Sequence, residues 1–190
     1  MGVNKNKDFL YHATLGHNIR LVSPKYYSNL LGFRKNVSLI KIEKTKESLK
    51  LVNEFLEGIF SKKNCSMLFV NLNNESSIST KICASRTMQP FLIKNWWGGT
   101  FTNVISQNKI DVMFVISAKN HNFVLQEAKK LNIPVIAVVD TDFDSNLVTF
   151  PIWLNDDSIK IHHELTFLIS SIILKANLIN YGLTCKNKIK

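Results

Sequence analysis

Residues 111–140, DVMFVISAKNHNFVLQEAKKLNIPVIAVVD, decide the fold of this chain. The continuous apolar runs over 111–117 and 135–140 are typical of strands that are covered on both faces of a sheet. The residues between them, 123–131, have helical spacing, and Ile133-Pro134 leads into the second run. A strand, a helix and a strand in this order predict two parallel neighbours in one sheet, joined by a helical crossover.

The same alternation of strands and helices extends outward from this unit. Further strands are predicted over residues 37–42, 66–72 and 91–93. Further helices are predicted from Thr45, the expected N-cap, over residues 79–88, and after Asp157, where apolar residues recur along one stripe. The pattern therefore predicts an α/β fold, a three-layer α/β/α sandwich of the flavodoxin-like kind on a mainly parallel five-stranded sheet.

The positive charge of the chain is concentrated at its two ends. The formal net charge is +10; residues 1–50 hold ten Lys and Arg against three acids, residues 51–185 hold eleven of each, and residues 186–190 add three lysines. We predict a basic, irregular N-terminal extension over 1–36, a single α/β domain over 37–182 and a basic tail over 183–190. Basic ends around a neutral centre favour a polyanionic partner, most often nucleic acid, over a small-molecule substrate.

A membrane surface is the competing partner for basic ends. The chain has no stretch of about 20 apolar residues that would span a bilayer. Its longest apolar run, 165–174, is bounded by Glu164 and Lys175. No membrane partner is therefore expected.

Amino-acid usage bears on the location of the protein. Lysine makes up 21 of the 24 basic residues, and the N-terminus has neither a secretory nor a transit-peptide pattern. Lysine, asparagine and isoleucine share A- and T-rich codons, so we infer an A·T-rich genome. The genome of an organelle would supply that bias, and we predict a mitochondrial protein, with a plastid or the bacterial cytoplasm as the alternatives.

Residues 94–103, KNWWGGTFTN, form the most distinctive turn of the sequence. Gly98 and Gly99 can adopt positive φ, while Trp96 and Trp97 offer flat faces for stacking. Cations in the N-terminal extension would neutralise phosphates, and aromatic or amide side chains would meet bases or ribose. The predicted RNA-binding residues are His17, Arg20, Lys25, Tyr26, Arg34, Lys35, Lys94, Asn95, Trp96, Trp97, Thr102 and Asn103.

An acidic cluster after the strand at 135–140 is the best enzymatic candidate. Asp140 and Asp142 could act as the nucleophile and acid of a Mg²⁺-dependent phosphatase, because that class presents a D-x-D pair at a strand end. In that class, however, the motif opens the chain, whereas here it comes late in the sequence. We therefore favour turn formation for these acids, and keep the phosphatase as the alternative function.

No metal ion or cofactor is expected. The three cysteines, Cys65, Cys83 and Cys185, include no C-x-x-C pair. The adjacent His162 and His163 lack the i, i+4 spacing of a helical zinc pair, and no glycine-rich phosphate loop is present.

Four separated segments resemble one known family. The stretch from Leu15 to Thr45, LGHNIRLVSPKYYSNLLGFRKNVSLIKIEKT, is similar throughout to the opening of the bacterial-type S-two family of small-subunit ribosomal proteins. NWWGGTFTN resembles that family's arginine-tryptophan-leucine-glycine-glycine turn. NIPVIAVVDTDFDSN and NDDSIK resemble its isoleucine-proline strand, aspartate-threonine corner and asparagine-aspartate-aspartate helix start.

The resemblance implies an α/β/α domain without catalytic activity. It implies a place between the head and body of the small subunit, in contact with ribosomal RNA and neighbouring proteins. The sequence departs from the family in three places. Asn95 stands where the family has arginine, and Trp153-Leu154 where it has proline-glycine. Only residues 104–109 stand where bacterial members insert a helical hairpin, so that hairpin is predicted to be absent.

Overall fold

The computed structural model describes residues 12–61, 65–93, 99 and 110–188, with side chains up to residue 182. Its strands are β1 (Leu15–Asn18), β2 (Leu30–Arg34), β3 (Val37–Ile40), β4 (Met67–Val70), β5 (Phe91–Leu92), β6 (Val112–Val115), β7 (Val135–Val139) and β8 (Phe150–Trp153). Its helices are α1 (Ile42–Phe60), α2 (Ser77–Arg86), α3 (Asn122–Lys130) and α4 (Ile159–Lys188).

Five strands form a parallel sheet in the order β5-β4-β6-β7-β8. This confirms the predicted α/β fold and strand count, but one member differs from the prediction. Residues 37–42 do not enter this sheet, and its fifth strand is β8, which the sequence does not predict because Pro151 interrupts its pattern. Proline is tolerated there because β8 is an edge strand, where one side of the backbone needs no partner.

Side chains alternate between the two faces of the sheet and bury a separate core on each. Met67 and Phe69 of β4 pack with α1, α2 and α4 on one face. Leu68 and Val70 pack on the other face with α3 and with the N-terminal segment. These two cores make the three layers of the sandwich.

The N-terminal segment is folded, so the prediction of an irregular extension is wrong for residues 15–34. β1, β3 and β2 form a small antiparallel sheet, in that order, which crosses the predicted division at residue 36. Lys35 and Asn36, with φ of 50° and 64°, make the two-residue turn between β2 and β3. Val22 and Tyr26 fill the third layer beside α3. The structure of this segment cannot be predicted from its local sequence, because its core contacts are made with strands about a hundred residues later in the chain.

Helix α1 begins at Ile42, three residues before the predicted N-cap. Thr45 is instead inside the helix and buried, and its hydroxyl donates a hydrogen bond to the carbonyl of Trp153 at 2.6 Å. The prediction of Thr45 as an N-cap is therefore wrong. Its role is to join α1 to the end of β8.

Helix α4 is long enough and apolar enough over Ile159–Gly182 to cross a membrane by length and composition alone, with a mean hydropathy of 1.3. One side of it packs on the sheet through its buried stripe: Ile161, Leu165, Ile169, Ile172, Ile173 and Ala176. We therefore treat α4 as a core helix, as the apolar stripe in the sequence predicted. The helix continues through residues 183–188 of the predicted tail.

Candidate nucleic-acid interface

The strand-end cluster, defined as His17, Asp140, Asp142 and Asp157, lies beyond the carboxyl end of β7. His17 comes from β1, and its ring reaches carboxylates from three positions far along the chain. Nδ1 lies 3.2 Å from Asp140 Oδ2, while Nε2 lies 3.4 Å from Asp142 Oδ2 and 3.3 Å from Asp157 Oδ2. The cluster thus attaches the N-terminal segment to the edge of the main sheet.

His17 is the cation of this cluster at neutral pH. Its pKa is raised to about 9, chiefly by contact with the Asp140 carboxylate and further by the charges of Asp142 and Asp157, while partial burial opposes the shift. Asp140 has no exposed surface, and His17 keeps only 17% of its side chain exposed. The contact with His17 offsets part of the cost of burying the Asp140 carboxylate away from water.

The cluster leaves no open carboxylate pair for a phosphatase. Asp140 contacts His17 and accepts a hydrogen bond from the Thr141 N–H. Asp142 is 4% exposed and is held by His17 and Lys119. Among the residues that the structure describes, no group of three or more His, Cys, Asp and Glu side chains has metal-ligand geometry. The geometry therefore gives the phosphatase hypothesis no support.

Three more titratable groups, Asp156, His121 and His162, are buried near the cluster and form hydrogen bonds inside the domain. Burial raises the pKa of Asp156 to about 7, and the hydroxyl of Ser117 donates to its carboxylate. Burial lowers the pKa of His121 to about 4, so its ring is neutral and Nε2 accepts a hydrogen bond from the Leu72 N–H at 2.8 Å. Burial also lowers the pKa of His162, which bonds to the Asp156 carbonyl. No local sequence pattern indicated these long-range roles.

Gly16 allows β1 to approach the cluster closely. A Cβ at this position would lie 2.5 Å from Ser38 Oγ and 2.6 Å from Thr141 Cγ2. The neighbouring contacts depend on this fit, because His17 N–H donates to Thr141 Oγ1 at 2.9 Å and Ser38 Oγ donates to the His17 carbonyl at 2.8 Å. Glycine is therefore required here by close approach.

The substitution Gly16→Ala is expected to lower the free energy of unfolding by about 1 to 3 kcal/mol, the usual cost of forcing atoms into a packed site. Gly58→Ala is the matched control, because a Cβ at Gly58 meets nothing within 4 Å. Because Gly58 lies in the last turn of α1, Gly58→Ala should raise that free energy by less than about 1 kcal/mol. Urea unfolding measures both values, and equal shifts for the two variants would contradict the close-approach argument.

Four of the predicted RNA-binding residues are exposed on the N-terminal segment. We call them the basic face: Arg20, Lys25, Arg34 and Lys35. Arg34 and Lys35 lie at the tip of the β2–β3 hairpin, and a hydrogen bond from Ile19 N–H to the Asn36 carbonyl at 3.0 Å places Arg20 beside that tip. Lys25 pairs with Asp144 at 2.9 Å. The structure thus brings three of these cations together.

Two of the predicted residues lie in other surroundings. Tyr26 is 2% exposed, its hydroxyl donates to the Val139 carbonyl at 3.2 Å, and its ring packs edge-on against Trp153. It leaves no ring face for a base, so its assignment to RNA is corrected to a core role. The His17 ring contacts the three carboxylates of the strand-end cluster, so both of its nitrogens already face protein groups rather than RNA.

The remaining predicted residues, Lys94, Asn95, Trp96, Trp97, Thr102 and Asn103, lie outside the described residues. Gly99 of the same turn is described. Its φ is 87°, and its N–H donates to the Glu127 carboxylate at 2.7 Å. This value confirms a positive φ at Gly99. Glycine suits the position because it has no Cβ and adopts positive φ without strain.

The comparison with known protein families decides the relationship. A family model described as ribosomal protein S2 matches residues 11–111 and 105–176 of the chain. The chain belongs to this family. The small ribosomal subunit protein uS2 of Coprothermobacter proteolyticus is 25% identical over 208 residues, which cover 84% of this chain and 77% of that protein. The family relationship expected from the sequence is confirmed.

S2 family membership gives the chain a structural role in the small ribosomal subunit, and so a place in translation. The two matched segments meet at residues 105–111, where the helical hairpin is predicted to be absent. Since 84% of 190 residues is about 160, about 48 of the 208 aligned positions have no residue in this chain. The match therefore agrees with the loss of a long internal segment.

Proposed function

We propose that the basic face binds small-subunit ribosomal RNA, and that the chain is a non-catalytic scaffold of that subunit. The observation that carries this proposal is the charge of residues 12–41, which include five Lys and Arg and no acid. Within the described residues, Arg20, Arg34 and Lys35 form no ion pair, so their charges are available to phosphates. A cluster of unpaired cations on one surface is the electrostatic signature of nucleic-acid binding.

The turn at residues 94–103 remains part of the predicted RNA surface. Its lysine, asparagine and tryptophans offer one phosphate partner and several base or ribose partners. Gly99 contacts Glu127, beside the end of α3. Contact with RNA through this turn is a proposal that rests on residue type.

Other small-subunit proteins are the second class of partner. The surface of α2 and α4 exposes the apolar side chains Ile78, Ile82 and Phe167, with Arg86 over the Phe167 ring at 5.0 Å. We propose that neighbouring ribosomal proteins contact this surface rather than RNA, because exposed apolar side chains gain most from contact with other apolar groups.

We also propose that the particle is a mitochondrial ribosome. The support is compositional: 21 lysines against three arginines, with abundant asparagine and isoleucine, indicate an A·T-rich genome. A plastid and the bacterial cytoplasm are the alternatives, and the Coprothermobacter relative is bacterial. Organelle fractionation of the cells that encode the chain tests this proposal, and recovery outside mitochondria would reject it.

Sedimentation of the tagged chain tests the proposed function. In low salt the chain is expected to sediment with the small subunit, and extraction should increase as salt rises, because phosphate contacts weaken with ionic strength. Ribonuclease treatment is the control, since it should release a chain that RNA holds. A chain that stays free of the small subunit at low salt would contradict the proposal.

A further inference from the structure

Beside the basic face lies an exposed pair of aromatic rings. Tyr27 is 51% exposed and Phe33 41% exposed, and their ring centroids are 6.2 Å apart at an interplanar angle of 68°. An edge-to-face pair in solvent leaves ring faces without a partner. Neither ring enters the core to which the neighbouring Tyr26 belongs.

The position of the pair relative to the cations is fixed by the hairpin. Phe33 directly precedes Arg34 in β2, and Lys35 starts the turn. Adjacent strand residues are about 3.3 Å apart along the strand and point to opposite faces, so Phe33 and Arg34 lie on the two sides of the hairpin tip, a separation that one or two nucleotides can span. Tyr27 belongs to the 3-10 helix Pro24–Asn29, which packs through Tyr26 on the main sheet. The surface is therefore held by rigid elements.

We propose that Tyr27 and Phe33 stack on unpaired nucleobases, so that the basic face binds single-stranded or looped RNA rather than a duplex. This inference rests on the proposed function and names the class of RNA. Aromatic rings are suited to single strands because every unpaired base offers a flat face, whereas the bases of a duplex are stacked on each other. Phosphates next to the stacked bases would meet Arg20, Arg34 and Lys35.

A protein ligand fits this surface less well. Leu31 and Leu21, which are 71% and 57% exposed, add apolar area, but the segment that carries them has no acid. A protein partner would therefore have to supply acidic groups against all the unpaired cations. RNA supplies that charge with every nucleotide.

The test compares two RNA probes of equal backbone charge. One is a labelled ten-nucleotide oligoadenylate, and the other is a ten-residue abasic strand, which keeps the phosphates and removes the bases. The full-length chain should bind oligoadenylate at least about tenfold more tightly than the abasic strand, tenfold being near the lower end of the effect of stacking a single base. The double variant Tyr27→Leu/Phe33→Leu should lose most of that preference and keep its affinity for the abasic strand.

Phe123→Leu is the matched control, because Phe123 is a 72% exposed aromatic residue on α3. It should leave binding of both probes unchanged. Urea midpoints should show that all variants are folded, since leucine keeps most of the apolar area at each position.

The outcomes separate this inference from the proposed function. Equal binding of the two probes by the unchanged chain, or an undiminished preference in the double variant, would overturn base stacking while leaving association with the small subunit intact. If the double variant binds both probes normally but enters the small subunit poorly, the rings contact a protein instead. Failure of the unchanged chain to join the small subunit is the separate result that removes the proposed function.

Discussion

Replacing His17 by glutamine is expected to lower the free energy of unfolding by about 3 kcal/mol at pH 7, the usual cost of leaving a buried charge without its partner. Asp140 has no exposed surface, and the His17 ring lies 3.2 Å from its carboxylate. Glutamine can donate one hydrogen bond but cannot neutralise Asp140, Asp142 and Asp157. The N-terminal segment should therefore be held less firmly against the sheet.

His17 also makes the free energy of unfolding depend on pH, within a window set by its two pKa values. The folded pKa of His17, about 9, is above its value of about 6.5 in an unfolded chain. Its stabilising contribution is therefore fully present below pH 6.5 and is lost as the pH rises to 9. Linkage allows about 2 to 3 kcal/mol over this window. Asp156 adds a loss of stability as the pH rises from about 4 to 7, because its folded pKa of about 7 is above the unfolded value and ionisation in the folded state is unfavourable.

Urea unfolding at pH 6, 7.5 and 9 measures both effects. The unchanged chain should lose stability between pH 6.5 and 9. His17→Gln should be less stable at pH 6, should keep the small slope of Asp156 up to about pH 7.5, and should be nearly flat from pH 7.5 to 9. His163→Gln is the control, because His163 is an exposed histidine on α4 and its loss should cost less than about 0.5 kcal/mol. A full slope retained in His17→Gln would show that another group titrates.

The contrast between Tyr26 and Tyr27 shows why the site could be predicted only in part. The two residues are adjacent and of one type, so local pattern gives no means of choosing between them. Tyr26 is buried because its hydroxyl reaches Val139, 113 residues away, and Tyr27 is exposed because the 3-10 helix turns it outward. The sequence identifies a basic segment, but which of its residues are exposed depends on contacts that only the folded chain makes.

More of the fold than of the site could be predicted from the sequence, because the patterns that indicate the inner strands are local. β6 and β7 are continuous apolar runs, and both occupy inner positions of the sheet as that pattern predicts. β8 was not predicted because it carries Pro151 and pairs only with β7, at the edge of the sheet. Trp153, which departs from the family pattern, ends β8 and packs on Tyr26 at a centroid distance of 5.0 Å. The departure and the buried tyrosine thus form one contact.

The second large effect is expected from removing the three unpaired cations of the basic face. The variant Arg20→Gln/Arg34→Gln/Lys35→Asn removes three charges, and asparagine suits the left-handed backbone at Lys35, where φ is 50°. Each lost phosphate contact should reduce the slope of log affinity against log salt by about 0.7 to 0.9, or by about 2 to 3 in all. If the affinities converge near 1 M salt, the loss near 0.1 M is about a hundredfold or more.

The measurement is binding of the chain's own small-subunit ribosomal RNA at a series of salt concentrations. Lys81→Gln/Lys129→Gln/Lys130→Gln is the control, because it removes the same charge from exposed positions on α2 and α3. Long-range attraction depends on net charge and affects both variants alike, whereas direct phosphate contacts are lost only in the first. A steeper loss of slope in the first variant therefore assigns the contacts to the hairpin tip. Equal slopes in the two variants would mean that RNA meets the chain elsewhere.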